Sequence, residues 1–339
     1  MKNTCLHVLC FVLALFLFSC ENKRTDVDVS HIELAELKIN RLEQDVFKMD
    51  TTDVTASSER LQKKYGTFYI TYNKGILNNG GTNDSSFARQ LKRFITDKDM
   101  REAYNDCQKM YPDVQFLEQE MTSMFKHYNY YFPKKRTPKV ITMMSGFNYS
   151  SIIVDSTLAI GLEMYLGSKS KFYQMLGLPY YKTMFMNKEN IASDALRTWM
   201  FEEFKYNMNK NDFLSDIVYL GKIIYLNDAM LPEVNDTIKM QYTQKQLDYC
   251  MQNEFNIWTY FIAQKLLFTA DHAEIMKFTG EGPFTTALSK EAPPRIGYWV
   301  GLQIVRQFMK NNPDVTLEQL MNETDAQTLL AKSKYKPKK

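Results

Sequence analysis

Lys139-Val-Ile-Thr-Met-Met144, Ser151-Ile-Ile-Val154 and Thr157-Leu-Ala-Ile-Gly161 follow one another within 23 residues. Each is a short run rich in β-branched and apolar side chains, and Gly146-Phe-Asn148 and Asp155-Ser156 between them carry turn chemistry, so the segment reads as three strands of a small sheet. The flanking sequence has a different period. Apolar residues at helical spacing (Phe116, Met121, Met124, Phe125, Tyr128) predict a helix from Asp113 to about Tyr131, ended by Pro133. Helices are also expected over 53–64, 85–109, 191–207, 212–227, 243–268, 295–311 and 316–331. Thr243-Gln-Lys-Gln246 and Thr316-Leu-Glu-Gln319 fit the capping box, in which hydroxyl and amide satisfy backbone groups at a helix start. Glu36-Leu-Lys-Ile-Asn-Arg-Leu42 alternates and reads as a first strand, and Asn78-Asn-Gly-Gly-Thr-Asn83 as a turn. Gly221 and Gly297, isolated in helical contexts, predict close helix packing. The fold class is therefore α+β, mainly α, with a small sheet packed on a helical C-terminal half. No linker or repeat divides the chain, which makes 34–331 a single globular domain and 332–339, with five lysines in eight residues, a basic disordered tail.

The ends differ in character. Met1-Lys2, the apolar run Val8 to Phe18 and Ser19 compose a secretory signal peptide over 1–19, too short to span a bilayer comfortably. Leu17-Phe-Ser-Cys20 resembles a bacterial lipobox, which implies cleavage before Cys20 and acylation there by palmitate-like chains. Two or three such chains, at about 0.8 kcal/mol per buried methylene, anchor a protein to a lipid membrane. Residues 20–33 then read as a charged, lipidated tether. Without Lys2 the formal charge falls from +3 to +2, with 41 basic and 39 acidic residues. Such an even scatter excludes a nucleic-acid binder. Of the cysteines beyond Cys20, Cys107 and Cys250 remain, free to pair in an oxidising compartment or to stay buried thiols.

Catalytic options are few. The four histidines are His7, His31, His127 and His272, so no helix carries a His pair at i and i+4 with an adjacent Glu, and no zinc motif of paired cysteines exists. Gly-x-Ser-x-Gly is absent, as are phosphate and dinucleotide loops. Adjacent Glu202 and Glu203 point to different helix faces, which weakens them as an acid and base pair. Asp155 and Glu163 flank the third strand, and a glycan-cleaving pair there would need a spacing that sequence does not set.

Together with Ser145-Gly-Phe-Asn-Tyr149, Val154 to Gly167, Tyr219-Leu-Gly-Lys-Ile-Ile-Tyr-Leu-Asn-Asp-Ala-Met-Leu-Pro232 and Pro293-Pro-Arg-Ile-Gly-Tyr-Trp-Val-Gly301, the sheet segment resembles the gliding-motility-associated lipoprotein GldB family of the Bacteroidetes, from about Leu37 to Met309. That family is in turn similar to zinc-dependent proteases whose core helix carries His-Glu-x-x-His. The resemblance implies a degenerate zincin-like architecture. Here the corresponding helix, Ile191 to Phe204, has no histidine, and Leu220 stands at the third-ligand position. It implies a scaffold kept and a catalyst lost: no metal, no cofactor and no catalytic residue, but a cleft between sheet and helices with Asp155, Arg197, Glu202, Arg295, Tyr298 and Trp299 as candidate lining groups. The expected function is a non-enzymatic, lipid-anchored envelope protein, facing the periplasm from the cell membrane or the outer membrane, that binds or scaffolds envelope partners. The alternative is an envelope hydrolase acting on peptide or glycan.

Overall fold

The computed structural model describes residues 25–339. The expected signal peptide and Cys20 lie outside the described residues. From Thr25 the chain does not stand off as a free tether. Thr25 is buried, Val27, Val29 and Ile32 are half-buried, and the residues between them face solvent. The alternation expected over Glu36–Leu42 is real in its burial, since Leu37 and Ile39 turn inward, but the strand shrinks to β1 (Asn40–Arg41). Its earlier amides are taken by side chains: Leu37 N–H donates to Thr122 Oγ1 (3.2 Å) and Ile39 N–H to Glu118 Oε1 (2.9 Å). With those donors spent on a helix, no ladder forms.

The chain then runs through α1 (Leu42–Phe47), α2 (Val54–Tyr65), α3 (Thr67–Thr71) with a following π turn over Tyr72–Ile76, α4 (Phe87–Thr96), α5 (Lys98–Met110) and α6 (Gln115–Tyr131). The helix expected over 85–109 is two helices, because Asp97 turns its carboxylate onto the amides of Asp99 and Met100 and restarts the spiral. The three middle strands are β2 (Lys139–Met143), β3 (Ser151–Val154) and β4 (Thr157–Gly161). The sheet order is β1-β2-β4-β3. β1 and β4 pair parallel to β2, and β3 closes an antiparallel hairpin on β4 through Asp155, whose φ is +53°.

The remainder is helical: α7 (Lys171–Met175), α8 (Tyr180–Thr183), α9 (Ile191–Glu203), α10 (Phe213–Met230), α11 (Asp236–Met240), α12 (Gln244–Gln252), α13 (Glu254–Ala263), α14 (His272–Thr279), α15 (Ile296–Asn311), α16 (Leu317–Asn322) and α17 (Ala326–Ser333). Both capping boxes form. The spans 243–268 and 316–331 are each broken: Asn253 folds its amide back onto the Tyr249 carbonyl, and Asp325 caps a new helix at Gln327. The basic tail also starts later than Lys332. That residue and Ser333 belong to α17, while the Tyr335 ring meets Trp258 edge-on at 5.1 Å and its hydroxyl donates to Glu254.

At the centre α10 crosses α15 with glycines at the contact. A Cβ on Gly221 would lie 2.3 Å from the Gly301 carbonyl carbon, and one on Gly301 would lie 1.8 Å from the Ile217 carbonyl oxygen. Gly297 packs against the same helix, near Ile217. This contact lets α10 be buried along nearly its whole length, and it fixes the start of α15 beside α9 and α11. The fold is α+β and mainly α. Cys107 and Cys250 are both buried and unpaired. Among the described residues no helix is long and apolar enough to cross a membrane.

Candidate functional site

α9 buries Ile191, Ala192, Ala195, Leu196, Trp199 and Met200, and the one-turn spacing of Asp194 and Arg197 sets both on the flank of that apolar face. Their side chains are only 14% and 16% exposed. Beside them α11 ends at Gln241, in a left-handed conformation with φ +52° that stops the helix and leaves the Lys239 and Met240 carbonyls without helical donors. Arg197 Nη2 donates to the Lys239 carbonyl at 2.7 Å. Arg295 Nη2 donates to the Met240 carbonyl at 3.2 Å, and Arg295 Nη1 lies 3.4 Å from Gln241 Oε1. Two guanidinium groups thus converge on one helix end, where the dipole favours cations.

Arg295 itself precedes α15 with φ +54°, an uncommon conformation for a residue with a Cβ, and its side chain gives the helix no cap. Its guanidinium stands 5.8 Å from the centre of the half-buried Tyr298 ring, one turn on, and its Nη1 is 3.6 Å from Glu281 Oε1. Asp194 is held from two sides: Gln241 Nε2 donates to Oδ1 (2.8 Å) and the Tyr165 hydroxyl to Oδ2 (3.2 Å). Its approach to Arg197 Nη1 is 4.0 Å. Burial raises the Asp194 carboxyl against the opposing pull of Arg197, lowers Arg197, and raises the Tyr298 hydroxyl. The Nε of Arg197 and the Nε of Arg295 are buried without a hydrogen-bond partner.

Of the six residues proposed from sequence as cleft lining, the structure brings together Arg197, Arg295 and Tyr298. The other three lie elsewhere. Trp299 is a core residue at 3% exposure, Glu202 is exposed and paired with Lys205, and Asp155 sits at the exposed tip of the β3–β4 turn. The sequence reading missed Asp194, whose i, i+3 relation to Arg197 inside an apolar helix was the available signal. It also missed Gln241 and the bare carbonyls before it, which a non-glycine left-handed residue creates without a sequence mark.

Carboxylates elsewhere are tied into structure. Glu163, fully buried and raised by that burial, accepts from Ser145 Oγ (2.5 Å), Ser145 N–H (2.6 Å) and Phe147 N–H (3.1 Å), and so holds the loop after β2. Glu203 accepts from Tyr128 and Lys135. His127 Nδ1 bonds the Ser123 carbonyl within α6, and His272 is exposed at the start of α14. α11 also joins the cluster to a cavity of about 1020 Å³ lined by Thr25, Tyr225, Asp228, Asp236, Lys239 and Arg306. There Arg306 makes two bidentate pairs, with Asp228 (2.7 and 2.9 Å) and Asp236 (2.8 and 2.8 Å), while Lys239 adds 3.1 Å to Asp228. Among the described residues no three His, Cys, Asp or Glu side chains are grouped to hold a metal ion.

The family model described as "Gliding motility protein GldB" matches residues 22–337, nearly the whole chain. No curated protein and no solved structure matches it.

Proposed function

We propose, from the premise that the chain belongs to the GldB family of gliding-motility proteins, that it is a lipid-anchored, non-enzymatic component of the cell envelope that binds or scaffolds other envelope proteins. The observation that carries this reading is the composition of the Asp194–Arg197–Arg295–Tyr298 cluster. Arginine keeps its proton at any physiological pH and presents donors in a planar fork, so two arginines beside one immobilised carboxylate suit recognition of an anionic partner group. The same proposal takes the scaffold to be that of a zinc-dependent protease without its ligands. In support, the inward face of α9 is occupied by Leu196 and Trp199, both buried, and Leu220 is half-buried on α10.

Anchoring at Cys20, on the periplasmic side of a membrane, completes the reading. Its support is the lipobox and the position of Thr25 against the body, five residues beyond Cys20. The test replaces the gene in the native host with Cys20→Ala and with the double variant Arg197→Met/Arg295→Met. Loss of fatty-acid labelling and membrane fractionation in the first, and loss of gliding in both with the protein still present, is the expected result. Gliding retained by both variants would refute it. Stoichiometric zinc together with peptidase activity in the purified chain would replace it with the hydrolase reading.

A further inference from the structure

Arg197 and Arg295 each bury an Nε–H donor that meets no acceptor, and an unmade hydrogen bond of this kind costs roughly 1–3 kcal/mol, more for a charged group. Both orphans belong to one cluster, and both donor atoms are closed to solvent with Glu281 in its present place. The charges show a deficit of acceptor. The buried members bring two positive guanidinium groups and one carboxylate, Asp194, and that carboxylate is already engaged by Gln241 and Tyr165. Two further acids lie nearby: Asp216, half-buried, which faces Tyr298 and accepts from the Tyr206 hydroxyl at 2.9 Å, and Glu281, which is 55% exposed and stands 3.6 Å from Arg295 Nη1, beyond good hydrogen-bond length. Glu281 lies between Gly280 and Gly282 on the loop after α14. α15 starts at the same place, sixteen residues long and without a side-chain cap, and its dipole favours negative charge there.

We infer that this cluster is a binding site for a carboxylate group of a polypeptide partner, which enters beside Tyr298 in place of the Glu281 carboxylate and accepts from the free arginine donors. The charge balance selects the class of anion. One negative charge neutralises the buried set, whereas a phosphate dianion would overshoot it beside Asp194, and a flat two-oxygen acceptor matches the guanidinium edge. Arg295, 8% exposed and fixed by the Met240 carbonyl, provides the preorganised half of the site. The inference rests on reading the cluster as a recognition site and names the chemistry that it would recognise.

The test uses the full chain in detergent, with arginine labelled by nitrogen-15, so that the Nε–H resonances of Arg197 and Arg295 report directly. The probes are acetate, N-acetyl-trialanine with a free C-terminus, the same peptide amidated, N-acetyl-glutamate amide and inorganic phosphate, at constant ionic strength. Expected are saturable shifts of both Nε–H signals with acetate and the free-acid peptides, none with the amidated trialanine, and weaker effects from phosphate. Comparing the trialanine acid with the glutamate amide tells a chain terminus from a side chain as the source. Glu281→Gln should tighten acetate binding at least threefold by removing the competitor. Arg295→Lys, which keeps charge but loses the Nε–H, should weaken it tenfold or more, with the Arg197 signal confirming that the variant is folded. Absence of saturable shifts, equal response to phosphate, or an Arg295→Lys variant that binds like the native chain would overturn the inference. Such a failure would leave the acylation and gliding outcomes of the preceding section standing, and those can fail while this site still binds.

Discussion

Lys222 shows how one side chain can make stability depend on pH. It is fully buried in α10, where its amine donates to the Glu323 carbonyl that closes α16 and lies 3.7 Å from the Met208 sulfur. Burial lowers its pKa from 10.5 to about 8. Because the folded value is below the unfolded one, the unfolded chain holds more protons between pH 8 and 10.5, and the stability of the fold rises with pH through that window. At about 1.4 kcal/mol per unit the span is worth roughly 3 kcal/mol. Lys222→Met should therefore gain most over the native protein at pH 7, less the cost of an unpaired Glu323 carbonyl, and lose that advantage by pH 10. Paired thermal melts at the two pH values check this, and parallel curves would contradict it. At the same scale the candidate site was half legible. Arg197 stands out as a charge within an apolar helix and Arg295 as a charge at the start of another, whereas Gln241 matters only because the chain turns left-handed at it.

Among the elements, the crossing of α10 and α15 tolerates no added atom. Gly301→Ala and Gly221→Ala would each push a methyl into backbone and should cost more than 4 kcal/mol, since neither contact is a flexible side-chain end. Gly75, exposed in the π turn with only the Thr71 methyl 3.7 Å away, is the contrast, and its alanine variant should be neutral or up to about 1 kcal/mol more stable. Urea titrations of the three variants decide between these signs. The strands were legible almost to the residue because β-branched runs between turn residues admit few other readings. The long helices were legible in position but not in continuity. Periodicity carries straight through Asp97, Asn253 and Asp325, and in each case a short polar side chain bonding to nearby backbone outcompetes the next helical turn. β1 failed for a different reason, since the acceptors of its amides sit on α6, about eighty residues away in sequence.

For the molecule as a whole, the described residues carry no covalent staple. Cys107 lies against the Met144 sulfur at 3.8 Å, and burial raises the pKa of both thiols. A reductant should leave the melting temperature unchanged, and thiol reagents should label the two sites only at the rate of global opening. The packing of Val27, Val29 and Ile32 has a further mechanical meaning. A pull on the N-terminus enters the body at Thr25 and meets scattered contacts and single side-chain bonds, to Thr122 and Glu118, before it reaches the two-residue ladder of β1. Those contacts are few and come before the sheet along the chain, so they should give way before it does. The fifteen residues from Thr25 to Ile39, about 50 Å long when fully extended, would then straighten before the sheet bears tension. A chain held at one end to a moving envelope would thus carry its own shock absorber.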